Sequence, residues 1–212
     1  MDIFGPHWRD HKKRISDNWK QVVRPEDIVL IAGDLSWALK LEQALPDLEW
    51  IGRLPGTKIL IRGNHDYWWT SRGKVNSVLP TGMITINASA WNGDELSVVG
   101  TRGWNIPGTS RFNQNDTKIY LRELNRLKIA LEQIPQTGSR KILAMLHYPP
   151  LTKMILSSGF TQLLESFGVS VCVYAHLHGE DQKSAFEGTR NGVAYIFVSC
   201  DYLGFQPRQI EL

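Results

Sequence analysis

The sequence predicts a layered α/β architecture with mixed sheets. Three observations carry that prediction. Four short apolar runs, at residues 27–32, 58–61, 141–146 and 169–175, are continuous rather than alternating, as in strands buried on both faces. Segments of helical spacing lie between them. The tail, residues 184–212, is rich in strand-like pieces separated by turns, which suits mixed rather than purely parallel sheets.

In chain order, residues 8–23 place Trp8, Ile15, Trp19, Val22 and Val23 among charged neighbours, the pattern of an amphipathic helix, and Pro25 stops it. The run DIVLIA at 27–32 is the first buried strand. Residues 38–54 read as a helix that Pro46 should start or kink. KILI at 58–61 is the second buried strand, and residues 68–79 are weakly helical. Residues 83–87 and 95–101 flank Asn92-Gly93 and suggest a hairpin. The clearest helix is 116–134, with Ile119, Leu121, Leu124, Leu127, Leu131 and Ile134 near helical spacing and Asn115 or Asp116 as its cap. KILAML at 141–146 is a strand, 159–167 a short helix, and VSVCVYA at 169–175 another strand. Three strand-like pieces fill the tail, with turns at 189–192 and near Pro207. Residues 103–115 (GWNIPGTSRFNQN) are the longest stretch without a pattern, and loops of that length are often functional.

A chain of 212 residues suffices for one domain with a sizeable core, and a single domain over 1–212 is expected. A net charge of +3 is too mild to demand a nucleic-acid partner, yet does not oppose a phosphorylated substrate. No apolar run approaches the length of a membrane span, and residues 1–13 are too polar for a secretory signal. Cys172 and Cys200 lie inside apolar runs and read as reduced core thiols, which fits a cytoplasmic location.

The chemistry sits where the strands end. The first run leads into Gly33-Asp34, the second into Arg62-Gly63-Asn64-His65-Asp66, the third into His147-Tyr148 and the fourth into His176-Leu177-His178. Each has a structural reading of its own. A Gly-Asp after a strand is usually a turn or cap, and a lone histidine is often a satisfied core residue. The four together are hard to read so, because ligand sites in open α/β sheets form beyond the carboxyl ends of strands. In extended backbone, His176 and His178 point to one side. Carboxylate, amide oxygen and imidazole without thiolate suit Mn or Fe, with Zn as the alternative, better than Ca or Mg. Two such ions can generate hydroxide from water and clamp the oxygens of a phosphoryl transfer.

These residues resemble the calcineurin-like metallophosphoesterase superfamily, whose ordered motifs are Asp-x-His, Gly-Asp, Gly-Asn-His-Asp/Glu, His and Gly-His-x-His. Four of the five occur in order from Gly33 to His178, with Ala175 replacing the first glycine of the last. The resemblance implies a four-layer α-β-β-α sandwich of two mixed sheets. It implies that Asp34 bridges two metals, that Asn64, His147 and His176 complete one shell, and that His178 binds the other ion. His65 would be the general acid, oriented by Asp66.

The first motif is missing. Asp2, His7, Asp10 and His11 lie in a polar stretch and read as solvated helix residues. Two explanations follow: a native N-terminal strand ending in Asp-x-His precedes this chain, which is the favoured one, or the site has become a one-metal site. A first strand would then also be absent from the sheet.

Trp68 and Trp69 follow the metal motif directly and are expected at the site mouth, where they can stack a base or aryl leaving group, as can Trp37. Arg102 and Arg111, in or beside the long loop, are candidates to grip phosphate. The reading is a metal-dependent phosphoesterase, monoester or diester, attacked by metal-bound hydroxide, with a phosphorylated small molecule or nucleotide as substrate. The alternative is a weakened or non-catalytic scaffold of the same fold. A nuclease ranks lower, because Lys12-Lys13-Arg14 is the one basic cluster. Oligomeric state is not legible.

Overall fold

The computed structural model describes residues 5–135 and 140–212. β1 (Ile28–Ile31), β2 (Thr57–Leu60) and β3 (Met83–Thr85) form a three-stranded sheet that is parallel throughout. The second sheet is ordered β4 (Ser89–Asn92), β5 (Leu96–Thr101), β6 (Lys141–Leu146), β7 (Val171–Tyr174), β9 (Val193–Phe197) and β8 (Gly188–Arg190). Its inner strands are parallel and its two edges antiparallel, so the expectation of mixed sheets holds for this sheet alone.

The continuous apolar runs are explained by burial on two faces. Along β6, Leu143 and Met145 meet Ile59, Ile61, Val98 and Val173 between the sheets. Ala144 and Leu146 point the other way, into a cluster with α4 (Gln114–Leu131) and α5 (Gly159–Ser166). On the far side of the first sheet, Leu60 packs with Leu48, Ile51 and Val75 from α2 (Leu41–Gly52) and α3 (Arg72–Asn76). Helices, sheet, sheet and helices thus stack in four layers. Each fully buried leucine or isoleucine contributes about 1.5–3 kcal/mol.

Several local expectations shift. The first helix, α1 (His11–Val22), begins after Asp10, whose φ of 54° breaks the pattern, and Trp8 lies in a separate 3-10 turn. α2 runs through Pro46. The long helix starts at Gln114, capped by Asn113 rather than Asn115 or Asp116, and the Asp116 side chain closes a capping box. The hairpin pairs β4 with β5, while residues 83–85 join the first sheet, and Ala88 at φ 53° lies on the crossing between the sheets. Two tail pieces form strands; among the described residues no third strand follows β9.

The largest correction concerns β1. It is an edge strand with Ile28 exposed and Val29, Leu30 and Ile31 half-buried, because β2 covers one side and no strand among the described residues covers the other. A groove of about 1240 Å³ runs along that edge, walled by Ile15 and Trp19 of α1, by Leu143 and Val173, and by the tail at Pro207 and Ile210. Among the described residues no helix is long and apolar enough to cross a membrane. Both cysteines are free thiols.

Candidate metal centre

The parallel pairings bring four strand ends to one edge, at one end of the groove. His147 ties the two sheets together there: its Nδ1 lies 2.7 Å from the Ala32 carbonyl oxygen. A carbonyl only accepts, so Nδ1 carries the proton and Nε2 is left with a lone pair. That Nε2 is 2.7 Å from Asn64 Oδ1, 3.1 Å from His176 Nδ1 and 3.4 Å from Asp34 Oδ2. Burial pushes His147 and His176 down to about 3, so both imidazoles are neutral at pH 7. Burial also raises the Asp34 carboxyl above its ordinary value. Asp34, His147 and His176 can offer ligand atoms that all lie within 4.8 Å of one another. Acceptors converge here with at most one ring proton among them. That arrangement is uncomfortable by itself and suits a cation.

Two residues of this group hold left-handed backbone, Asp34 at φ 58° and His176 at φ 72°. Such conformations cost free energy in non-glycine residues and persist where packing over-determines them. For His176 the packing is Tyr148, whose ring lies 4.0 Å from the imidazole and is backed by Trp104 at 4.9 Å.

A family model for calcineurin-like phosphoesterases matches residues 6–180. The chain belongs to the calcineurin-like phosphoesterase family. It is also similar to the gene 66 protein of Mycobacterium phage D29, at 42% identity over 65 residues. That stretch is 31% of this chain and spans 31% of the phage protein.

Within this member of the family, the structure gathers Asp34, Asn64, His147 and His176. His178 stands outside the tight group: its Nδ1 is 2.7 Å from Asp201 Oδ1 and its ring meets Trp8 edge-on. His7 and Asp10 are exposed, and His11 meets the Trp8 carbonyl oxygen; Asp2 lies outside the described residues.

Three expectations about neighbouring residues are corrected. Asp66 does not orient His65. It is fully buried and accepts the backbone N–H groups of Gly63, Asp34, Leu35 and Ser36 and the Trp68 indole N–H. His65 instead stacks on Trp37 at 4.7 Å, and its Nδ1 lies 3.3 Å from the Tyr67 hydroxyl. Trp68 and Trp69 are buried against α2, since the chain turns inward after Asp66; the exposed aromatics beside His65 are Trp37 and Tyr67. Arg102 is largely buried, stacked on Trp104 and 3.7 Å from the buried Glu123, so it braces the loop rather than reaching out for substrate. Arg111 remains on the surface, paired with Asp181 at 2.7 Å.

Gly63 is forced by the same geometry. A Cβ there would lie 1.9 Å from Asp34 Oδ1 and 2.4 Å from the Asp34 nitrogen. Gly63→Ala is therefore expected to cost about 1–3 kcal/mol by overpacking and to weaken binding of any divalent metal at this group, because Asp34 must move. Thermal unfolding and metal titration check this; wild-type values in both would contradict the packing.

Proposed function

We propose that this phosphoesterase hydrolyses a phosphomonoester or phosphodiester of a small molecule or nucleotide with divalent metal, Mn or Fe, with Zn as the alternative. The observation that carries this reading is the convergence of Asp34, Asn64, His147 and His176 acceptor atoms around a fixed His147 tautomer. These four residues would hold the metal. When bound, it supplies a nucleophile from water at neutral pH and offsets charge on the phosphate oxygens.

The chain's own residues do the rest. His65 lies outside the acceptor group, and with Tyr67 on Nδ1 its Nε2 is available to protonate the leaving oxygen. Trp37 and Tyr67 offer exposed rings against which an aryl or nucleoside leaving group can pack. Arg111, paired with Asp181 on the surface, is the candidate to meet a substrate phosphate at the rim. Two free thiols, of which Cys172 is buried, support work in the cytoplasm.

The test is hydrolysis of an aryl phosphodiester and an aryl phosphomonoester with Mn²⁺, Fe²⁺ or Zn²⁺ against a chelated control. Turnover that requires metal is expected, and the ratio of the two substrates ranks diester against monoester. No turnover above the chelated control with any of the three metals would sink the proposal.

A further inference from the structure

We infer that Trp104 is a positioning residue, which holds the His176 imidazole in place for a metal through the ring of Tyr148. The inference rests on the proposed reading of His176 as a metal ligand, whose Nδ1 lies 3.1 Å from His147 Nε2 inside the acceptor group. The Leu177 N–H donates to the Ala175 carbonyl oxygen at 2.9 Å, across a φ of 72° at His176. A three-residue turn of that sign is rare and strained, and it persists where its surroundings over-determine it. The surroundings here are a stack of side chains. The Tyr148 ring lies 4.0 Å from the imidazole, tilted 32° from it, and meets His147 edge-on at 5.5 Å. Trp104 backs Tyr148 at 4.9 Å, and the Arg102 guanidinium lies over Trp104 at 4.4 Å. Both outer members are tied to α4. Trp104 Nε1 donates to Asp116 Oδ1 at 2.7 Å, and Arg102 lies 3.7 Å from the buried Glu123. Gly103, at φ 69°, turns the chain after β5 so that Trp104 comes back onto Tyr148. The start of the long loop thus reaches the metal group through a ring rather than by supplying a ligand. Outer groups that orient a metal-bound histidine typically matter 10–100-fold in metal affinity.

The stack is read first without metal. In the ¹³C-labelled full chain, ¹H–¹³C correlation is expected to place the His176 ring protons upfield, under the face of Tyr148. Trp104→Ala is expected to move them back toward the range of exposed histidines. Wild-type His176 ring protons in that ordinary range would overturn the inference. With Mn²⁺ as the probe, Trp104→Ala is expected to weaken binding by about 10–100-fold. Trp104→Phe keeps a ring behind Tyr148 and should fold and lose less affinity. Val169→Ala is the packing control: Val169 is buried just before β7, whereas His176 follows its far end. It should lower the unfolding temperature and keep wild-type Mn²⁺ affinity. A loss of affinity as large as that of Trp104→Ala would reduce Trp104 to ordinary packing and overturn the role. If His176→Ala weakens Mn²⁺ binding and Trp104→Ala does not, the positioning role falls and the ligand reading stands. If His176→Ala leaves Mn²⁺ affinity unchanged, the ligand reading falls and takes the inference with it.

Discussion

Asp34→Asn is expected to lower metal-dependent hydrolysis by at least about 10³-fold, some 4 kcal/mol of barrier, with no loss of folding. The substitution keeps shape and changes three things. It removes the one carboxylate from the group formed with His147 and His176. It places an amide N–H where Oδ2 now faces His147 Nε2 at 3.4 Å, so the lone pair meant for a cation is capped by a proton. It leaves an oxygen able to accept the His65 backbone N–H, which Asp34 Oδ1 now holds at 2.8 Å, so the loop geometry survives. Burial makes the Asp34 carboxylate costly without metal. The neutral amide should therefore leave the metal-free protein as stable as wild type, or more stable by about 1 kcal/mol. Turnover with Mn²⁺ and thermal melts with and without chelator separate the two effects. Activity within tenfold of wild type would remove Asp34 from the machinery.

Asp66→Ala is expected to act on folding, by about 4 kcal/mol. Five N–H donors end on this one buried carboxylate, four from backbone and one from Trp68. They come from the loops after β1 and β2, which carry Asp34, Asn64 and His65. Burial pushes the Asp66 carboxyl up to about 6, so it is ionised at pH 7 and the donors face a charge. Removing it leaves those donors unpaired beyond the reach of solvent, and each such group costs about 1–3 kcal/mol before relaxation. A loss of 4 kcal/mol is a large part of the 5–15 kcal/mol typical of a domain. Asp66→Asn should also destabilise, because its amide hydrogens would meet some of the same donors. Urea unfolding measures both variants. A loss below about 1 kcal/mol for Asp66→Ala would show that the loops hold their shape without the clamp.

The two predictions concern neighbouring motifs, yet the sequence distinguishes them poorly. Gly33-Asp34 and Gly63-Asn64-His65-Asp66 both read as polar strand ends, and both are. Nothing in the order Asn-His-Asp says that the aspartate turns inward while the histidine faces Trp37. The same holds for Trp68 and Trp69, which sit one turn past the metal motif and would serve equally well at a site mouth or in a core. Asp201 carried a signal of the same kind as the others, a polar residue just after an apolar strand, and without its partner His178 in view that signal had no meaning.

By itself the sequence determined the layered α/β fold, the order of most strands and helices, and the strand ends that carry Asp34, Asn64, His65, His147 and His176. These are local properties. A continuous apolar run reports burial on two faces, and glycine followed by polar residues reports where a strand stops, each within a few neighbours along the chain. The tertiary structure alone decided that Asp66 clamps backbone, that Arg102 is braced by Glu123, and that Asp201 meets His178. Each of those depends on groups far apart in sequence, 32 residues for Asp34 and Asp66 and 115 for Ala32 and His147. Direction of burial and choice of hydrogen-bond partner are settled only when the layers close, because a side chain turns toward whatever donor, acceptor or apolar surface the packed neighbours leave within reach.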